Sequence, residues 1–301
     1  MLRIDNLKLP VGASEEELRS ACAHALRVSA EALVSIRLLR RSIDAREGVK
    51  LVCAAAVEVR NEAGVLKRCK NKNVQPYAPK KYMPPAPVSA PAVSPVVIGA
   101  GPAGLFCALL LARCGARPVL LERGRAVEQR KRDVDRFWHT GELDLTSNVQ
   151  FGEGGAGAFS DGKLNTGTKD ERHGYILEEF VRFGASEDIL VDAKPHVGTD
   201  RLYIVLQNLR REILALGGEI RFSHRAVDIL TEGGSVTALR VASREGEYTL
   251  RARHVVLAPG HSARDTFAML QARGVPMEPK PFAVGVRIEH RQRDMDAAQY
   301  K

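Results

Sequence analysis

The run Gly99-Ala100-Gly101-Pro102-Ala103-Gly104 follows the apolar Val96-Val97-Ile98 and precedes Leu120-Leu121-Glu122 at a spacing that could do chemistry. Each residue type answers a demand of an adenine dinucleotide. Gly99 permits a tight turn from strand to helix, Gly101 lets backbone amides approach a pyrophosphate, and Gly104 lets the helix pack close to the strand. Pro102 and Ala103 then start that helix, whose unpaired N–H groups and dipole favour the negative phosphates. Glu122 falls at the end of the second strand, where its carboxylate could accept both hydroxyls of the adenosine ribose. An acid at that place disfavours a 2′-phosphate, so the pattern points to FAD or NAD before NADP. The neighbouring Arg123 and Arg125 are the features that argue the other way.

A second loop, Phe151 to Leu164, carries Gly152, Gly154, Gly155, Gly157 and Gly162 together with Ser160 and Asp161. Ordering so many glycines is entropically expensive, which suggests a backbone pressed against something flat or anionic. Phe151, Phe159 and Leu164 would anchor its two ends. A third loop begins at Ala258-Pro259-Gly260-His261, after the apolar run His254 to Ala258. Loops at the carboxyl ends of parallel strands are where open α/β sheets take ligands. His261, Lys163 and His290 are candidates for proton transfer, but such residues are more often solvated or structural, and nothing in the sequence assigns a catalytic group.

The elements that must position these loops are legible from periodicity. A helix with Leu105, Ala108, Leu109, Leu111 and Ala112 on its sheet side should stop at Gly115. Pro118 opens the second strand. Ala126 to Trp138 and Arg201 to Leu216 read as helices, and Glu219 to Ser223 as a strand. Three short strands then form a β-meander up to Arg253. His254 to Ala258 is apolar enough to be a core strand buried on both faces. Phe282 to Ile288 also looks strand-like.

Before the dinucleotide run, residues 1–75 read as a small α/β N-terminal domain: a strand from Leu2 to Leu9, a helix from Ser14 with Glu17 in capping-box spacing, and strands at Val34 to Leu39 and Leu51 to Val59. The charged stretch Arg40 to Arg46 fits either an edge-strand salt-bridge network or a docking surface. Residues 76–95 form a proline-rich linker. The remaining expected boundaries are a Rossmann-like FAD/NAD(P)-binding domain with the inserted β-meander at 96–280, and the start of an incomplete substrate domain at 281–301. The fold class is therefore α/β.

Bulk properties narrow the alternatives. The net charge of +9 is concentrated around Lys67 to Lys81, beside the linker, and aromatics make up only 5% of the chain, which argues against nucleic-acid recognition. No apolar run is long enough to span a bilayer and no signal peptide begins the chain, so the expected location is cytoplasmic. Cys22, Cys53, Cys69, Cys107 and Cys114 form no CxxC pair, so neither a metal site nor a redox disulfide is expected.

The GAGPAG run, the GEGGAGAFSDGKL loop, the meander, LAPGHSARDTF and PFAVGVRIEH resemble the glutathione-reductase-like FAD-binding flavoproteins, most closely a set of uncharacterised bacterial FAD-dependent dehydrogenases. The likeness covers about residues 96 to 290, and the N-terminal unit and linker are similar to that set's leader domain. It implies FAD as cofactor, with Gly99, Gly101, Pro102, Ala103 and Gly104 at the pyrophosphate, Glu122 at the ribose, and Arg123 also among the cofactor-binding residues. Gly154, Gly155, Gly157, Ser160 and Asp161 would stand on the flavin side. Ala226 would supply the adenine-contacting backbone, and Ala258 and Gly260 replace part of the superfamily's Ala-Thr-Gly, with Pro259 as a departure. The superfamily's C-terminal Gly-Asp motif is not found before Lys301, so the chain is expected to be C-terminally incomplete. The implied activity is an FAD-dependent oxidoreductase passing hydride through flavin N5, to or from a small-molecule substrate and with an external electron donor or acceptor. An NAD-dependent dehydrogenase and a non-catalytic or RNA-associated flavin-fold protein are the alternatives.

Overall fold

Strand β1 (Leu2–Leu9) buries Leu2 and Ile4, then Leu7 and Leu9, each pair at the spacing of a half-buried strand, with a register shift between Ile4 and Leu7. Helix α1 (Glu15–Leu26) follows with its capping box made: Ser14 Oγ accepts from Glu17 N–H at 3.2 Å, and the Glu17 carboxylate accepts from Ser14 N–H at 2.7 Å. Strands β2 (Leu33–Asp44) and β3 (Lys50–Val59), helix α2 (Glu62–Arg68) and strand β4 (Val74–Pro76) complete the unit. The antiparallel sheet has the order β2-β3-β1-β4 and packs against α1 through Cys22, Leu26, Ala55 and Val57. The structure, a computed structural model, describes residues 1–159, 162–164, 166–286 and 288–300.

From Ala78 to Ala92 the chain makes no helix or strand and is mostly exposed. It still touches the body: Val88 N–H donates to the Cys114 carbonyl at 2.8 Å, and the Tyr82 ring stands edge-on to Tyr175 at 5.3 Å.

The second unit runs β5 (Val96–Ile98), α3 (Pro102–Arg113), β6 (Val119–Glu122), α4 (Val127–Thr140), α5 (Arg172–Arg182), α6 (Thr199–Ala215) and β7 (Glu219–Phe222). The antiparallel β8 (Arg225–Glu232), β9 (Ser235–Ser243) and β10 (Gly246–Arg251) follow, then β11 (Val255–Leu257), α7 (Arg264–Ala272) and α8 (Gln292–Gln299). A parallel sheet is ordered β11-β5-β6-β7, in register at Val255, Val96, Val119 and Glu219. Its two faces have different covers. Val97 and Leu120 point to α3 and α6, meeting Leu105, Leu109, Leu209 and Ile213, whereas Ile98 and Leu121 point to the meander, meeting Leu239 and Val241. Burial on both sides is why these strands are apolar without alternation. Arg113, near the end of α3, fastens the helical layer by bonding Glu179 of α5 at 2.7 Å and Glu212 of α6 at 3.1 Å.

Two expectations need correcting. The run His254 to Ala258 is not buried on both faces: it forms the sheet edge, and Val256 and Leu257 are 37% and 40% exposed. Among the described residues it pairs with β5 alone, so its outer edge is open. The described residues of the run Phe282 to Ile288 form no strand, and Phe282, Val284, Val286 and Ile288 are 84%, 84%, 88% and 72% exposed. A strand needs a neighbour for its N–H and C=O groups, and none lies beside this run among the described residues.

The stretch Arg40 to Arg46 combines both of its expected roles. It continues β2 along the sheet edge, and there Arg41 N–H donates to the Val191 carbonyl at 2.6 Å while the Arg41 carbonyl accepts from Ala193 N–H at 2.8 Å. The Arg41 guanidinium adds ion pairs to Asp192 at 2.8 Å and Asp188 at 3.0 Å. Arg41 thus ties the N-terminal unit to the body through its backbone and side chain together.

Candidate functional site

The turn after β5 is shaped by Gly99, whose φ of +100° disfavours any side chain; a Cβ there would stand 2.2 Å from the Ala258 carbonyl oxygen. Gly104 carries a different constraint: its Cβ would meet the Gly99 carbonyl oxygen at 1.8 Å, so α3 lies directly on the turn. Gly101 has neither constraint. Its φ is an ordinary −73°, and the nearest atom to a built Cβ is Gly155 Cα at 3.9 Å. It borders a cavity of about 230 Å³ shared with Gly99, Pro102, Ala103 and Glu122. Gly101 is also the N-cap of α3, and no side chain caps that helix. Pro102 at the first position has no N–H, so the donors this helix start can offer begin with Ala103, which lines the cavity, with a favourable dipole.

Glu122 reaches the place expected for it but is already engaged. Its carboxylate is 4% exposed and accepts from Ala100 N–H at 2.7 Å, Gly124 N–H at 2.8 Å and Gly152 N–H at 3.0 Å. A carboxylate offers about four acceptor positions, so roughly one remains for a ribose hydroxyl. The same group thus ties the dinucleotide turn to the second glycine loop. Arg123 lines the cavity with its guanidinium 4.4 Å from the centre of the Phe151 ring.

The second loop closes onto the first as its glycines require. Gly154 N–H donates to the Ala100 carbonyl at 2.8 Å, and Gly155 comes so near Gly101 that a Cβ would stand 3.2 Å from Gly101 Cα. Behind the loop, fully buried Arg130 donates to the carbonyls of Asn148 at 2.9 Å and Glu153 at 2.6 Å and lies 4.7 Å from the Phe159 ring. Burial draws the Arg130 guanidinium down to about 10, against the opposing charges of Glu122 and Glu153. Glu153, also fully buried, accepts from Val127 N–H and Arg210 Nη1, each at 2.8 Å, and its other oxygen has no partner among the described residues. Burial pushes the Glu153 carboxyl up to about 7, although the Val127 N–H and Arg210 pull the other way.

Of the expected site residues, Gly99, Gly101, Pro102, Ala103, Glu122 and Arg123 meet at one cavity, joined by Gly155, Ala226, Ala258, Gly260 and His261. Gly104 and Gly154 shape its walls from behind, Gly154 against Leu206. Gly157 is outside the lining; Ser160 and Asp161 lie outside the described residues. Lys163 pairs with His196 in an isolated β-bridge and His290 is exposed, so neither is brought to the cavity. His261 stands at the mouth, with Nε2 3.3 Å from Ser262 Oγ. Phe151, expected only as an anchor of the second loop, also lines the cavity, and sequence reading missed Gln150, His224, Arg225 and Thr266. Gln150, His224 and Arg225 share one signal, position beside the second loop or just past the carboxyl end of β7, whereas Thr266 comes from the first turn of α7.

Residues 93–293 match the pyridine nucleotide-disulphide oxidoreductase family. The chain belongs to that family. Membership bears out the Rossmann-like α/β fold and places the expected cofactor chemistry within an oxidoreductase family. Residues 1–60 match a domain of unknown function. An uncharacterised protein of Clostridium beijerinckii is 39% identical over 303 residues, covering 99% of this chain and 56% of that protein, so the chain spans little more than half the length of this relative. Among solved structures, THI4 of Thermovibrio ammonificans is similar at 18% identity with a TM-score of 0.41, over 62% of this chain and 64% of that one. Glycerol-3-phosphate dehydrogenase of Bacillus halodurans, complexed with FAD, is similar at 14% identity with a TM-score of 0.38, over 59% of this chain and 36% of that one. No described helix is long and apolar enough to cross a membrane.

Proposed function

We propose that this cleft holds the ADP half of FAD and that the whole protein is a cytoplasmic FAD-dependent oxidoreductase acting on a small-molecule substrate. Gly101 carries the reading. The fold does not need a glycine there, by backbone angle or by packing, yet a side chain would project into the cavity beside the uncapped start of α3. A pyrophosphate bound to amides is what a missing Cβ at that place would serve. Glu122 holds the turn against the second loop and offers its remaining lone pair to the ribose. Ala226 and His224 line the same cavity at the start of the meander, where an adenine would lie.

When bound, flavin supplies the centre that gives or takes hydride; the protein orients it and sets its surroundings. The cavity, at about 230 Å³, is below the about 300–1,000 Å³ of sites that enclose a whole ligand. That size suits the nucleotide half, and residues 281–301 are assigned to the start of the unit that faces the substrate. All five cysteines are unpaired, which supports a reducing compartment.

The test is Gly101→Val, with FAD and ADP titrated against it and against the unchanged chain by calorimetry, and folding followed by circular dichroism. The expected result is a folded variant whose affinity for both ligands falls at least about 100-fold, which is about 2.7 kcal/mol. A folded variant that binds ADP as well as the parent would overturn the pyrophosphate assignment. Binding of NAD in preference to FAD by the parent would overturn the cofactor.

A further inference from the structure

Asp265, in the first turn of α7, does not line the cavity, yet it touches two arginines that do. Its Oδ1 accepts from Arg123 Nη2 at 2.9 Å and its Oδ2 accepts from Arg225 Nη1 at 3.3 Å. Arg123 Nη2 also donates to Thr266 Oγ1 at 3.3 Å, and its guanidinium lies against Phe151. The two arginines come from distant places, one just after β6 and the other at the start of β8. Arg123 follows Glu122 directly, so the pair stands at the carboxyl end of the strand where the adenosine ribose is assigned.

Charge makes the arrangement unusual. Two guanidiniums beside a ribose would favour a phosphate on its 2′-oxygen, because arginine forks match phosphate oxygens. Here Asp265 bridges both, and Glu122 stands next to them. Two cations then face two anions, and the mouth of the cleft offers little net attraction for a further dianion. Burial opposes ionisation of Asp265, but the Arg123 hydrogen bond, the Arg123 charge, Thr266 N–H and Arg225 together hold its carboxyl below the usual range.

We propose that Asp265 is a positioning residue that sets ligand specificity: by holding Arg123 and Arg225 together, it makes the cleft select an adenosine ribose with a free 2′-hydroxyl over a 2′-phosphorylated one. This rests on the nucleotide reading of the cleft. Removing the aspartate charge takes away the anion that both guanidiniums share, while leaving the glycine turn, Glu122 and the start of α3 in place.

The experiment titrates 5′-ADP and 2′,5′-ADP against the full chain and its Asp265→Asn variant at low and moderate salt, with no flavin present. The unchanged chain is expected to prefer 5′-ADP. In Asp265→Asn the affinity for 2′,5′-ADP relative to 5′-ADP should rise about tenfold, more at low salt because the released charges are partly exposed. Adding Arg225→Ala to that variant should reverse most of the gain, which a merely structural role for Asp265 would not produce. If Asp265→Asn does not fold, Asp265→Ser, which keeps an oxygen at the helix start, is read by the same ratio. A ratio unchanged within twofold while both proteins bind 5′-ADP overturns the specificity role and leaves the cleft assignment standing. Failure of the unchanged chain to bind 5′-ADP at all overturns the cleft assignment itself.

Discussion

The floor of the cleft and its open end differ in who satisfies the chain. Around Gly99, Glu122 and Gly152 the backbone is fixed by its own groups: one carboxylate accepts three amides, and successive glycines touch each other's backbone. At the other end, from Val256 and Leu257 to the run beginning at Phe282, large apolar side chains meet solvent. The first region is over-determined by the chain's own contacts, and the second is left without them. A ligand-binding turn must exist before its ligand arrives, so its geometry is stored in buried polar bonds and in residues without side chains. The outer end carries no such stored geometry, so substitutions there should be nearly silent in this chain.

The contrast can be broken or sharpened by substitutions of decreasing effect. Gly99→Ala should be the most severe, because it combines a disfavoured φ with a clash against the Ala258 carbonyl. We expect a loss above about 4 kcal/mol, or no folded second unit, in urea denaturation. A stable Gly99→Ala protein would show that the turn can relax and is less fixed than described. Glu122→Ala should come next, at about 3 kcal/mol, since three buried amides lose a charged acceptor together. Nucleotide affinity should fall with it. Unchanged stability would mean that water replaces the carboxylate, and the floor would then be no more self-fixed than the outer end.

Glu153 gives a smaller, pH-dependent effect. Its carboxyl rises from the ordinary 4.5 to about 7, mainly through burial. Between those values the unfolded chain has released the proton while the folded chain keeps it, so stability falls as pH rises through the window and levels off above it. Glu153→Gln should remove that slope, a difference of about 3 kcal/mol between pH 5 and pH 8 at about 1.4 kcal/mol per unit. Identical pH profiles for the two proteins would show that Arg210 keeps Glu153 ionised throughout. The smallest effect is expected for Val284→Ser with Val286→Ser, which should change the unfolding free energy by less than about 0.5 kcal/mol. A clear loss would reveal a packing partner for this run and close the difference between the two regions.

The sequence made the local elements readable where one period or one cap decides them. Leu2–Leu9 and the Ser14 capping box are as expected, as are the Gly115 stop and the meander. It hid what depends on neighbours. Helix α2 and β4 are too short to give a periodic signal, whereas α5 was overlooked although Ile176, Leu177, Phe180 and Val181 follow helical spacing; the apolar run of β11 looks the same whether it lies at the centre of a sheet or at its edge. In the site, the glycine turn was legible because each glycine answers a local demand. The three amides on Glu122 were not, because Gly152 lies 30 residues further along the chain and meets it only in the fold. Arg225 and Thr266 escaped for the same reason, as they reach the cavity from the meander and from α7.

The junction at Arg41 has a consequence for solubility. β2 is a long outer strand, the kind of exposed ladder on which other chains can stack. Here it carries Arg37, Arg40 and Arg41, its register slips between Leu38 and Arg40, and residues 191–193 of the body cap it at Arg41. Charge, irregularity and cover thus guard the same edge. Detaching the N-terminal unit from the body would strip away the cover and leave arginines and a bulge as the remaining guards against aggregation.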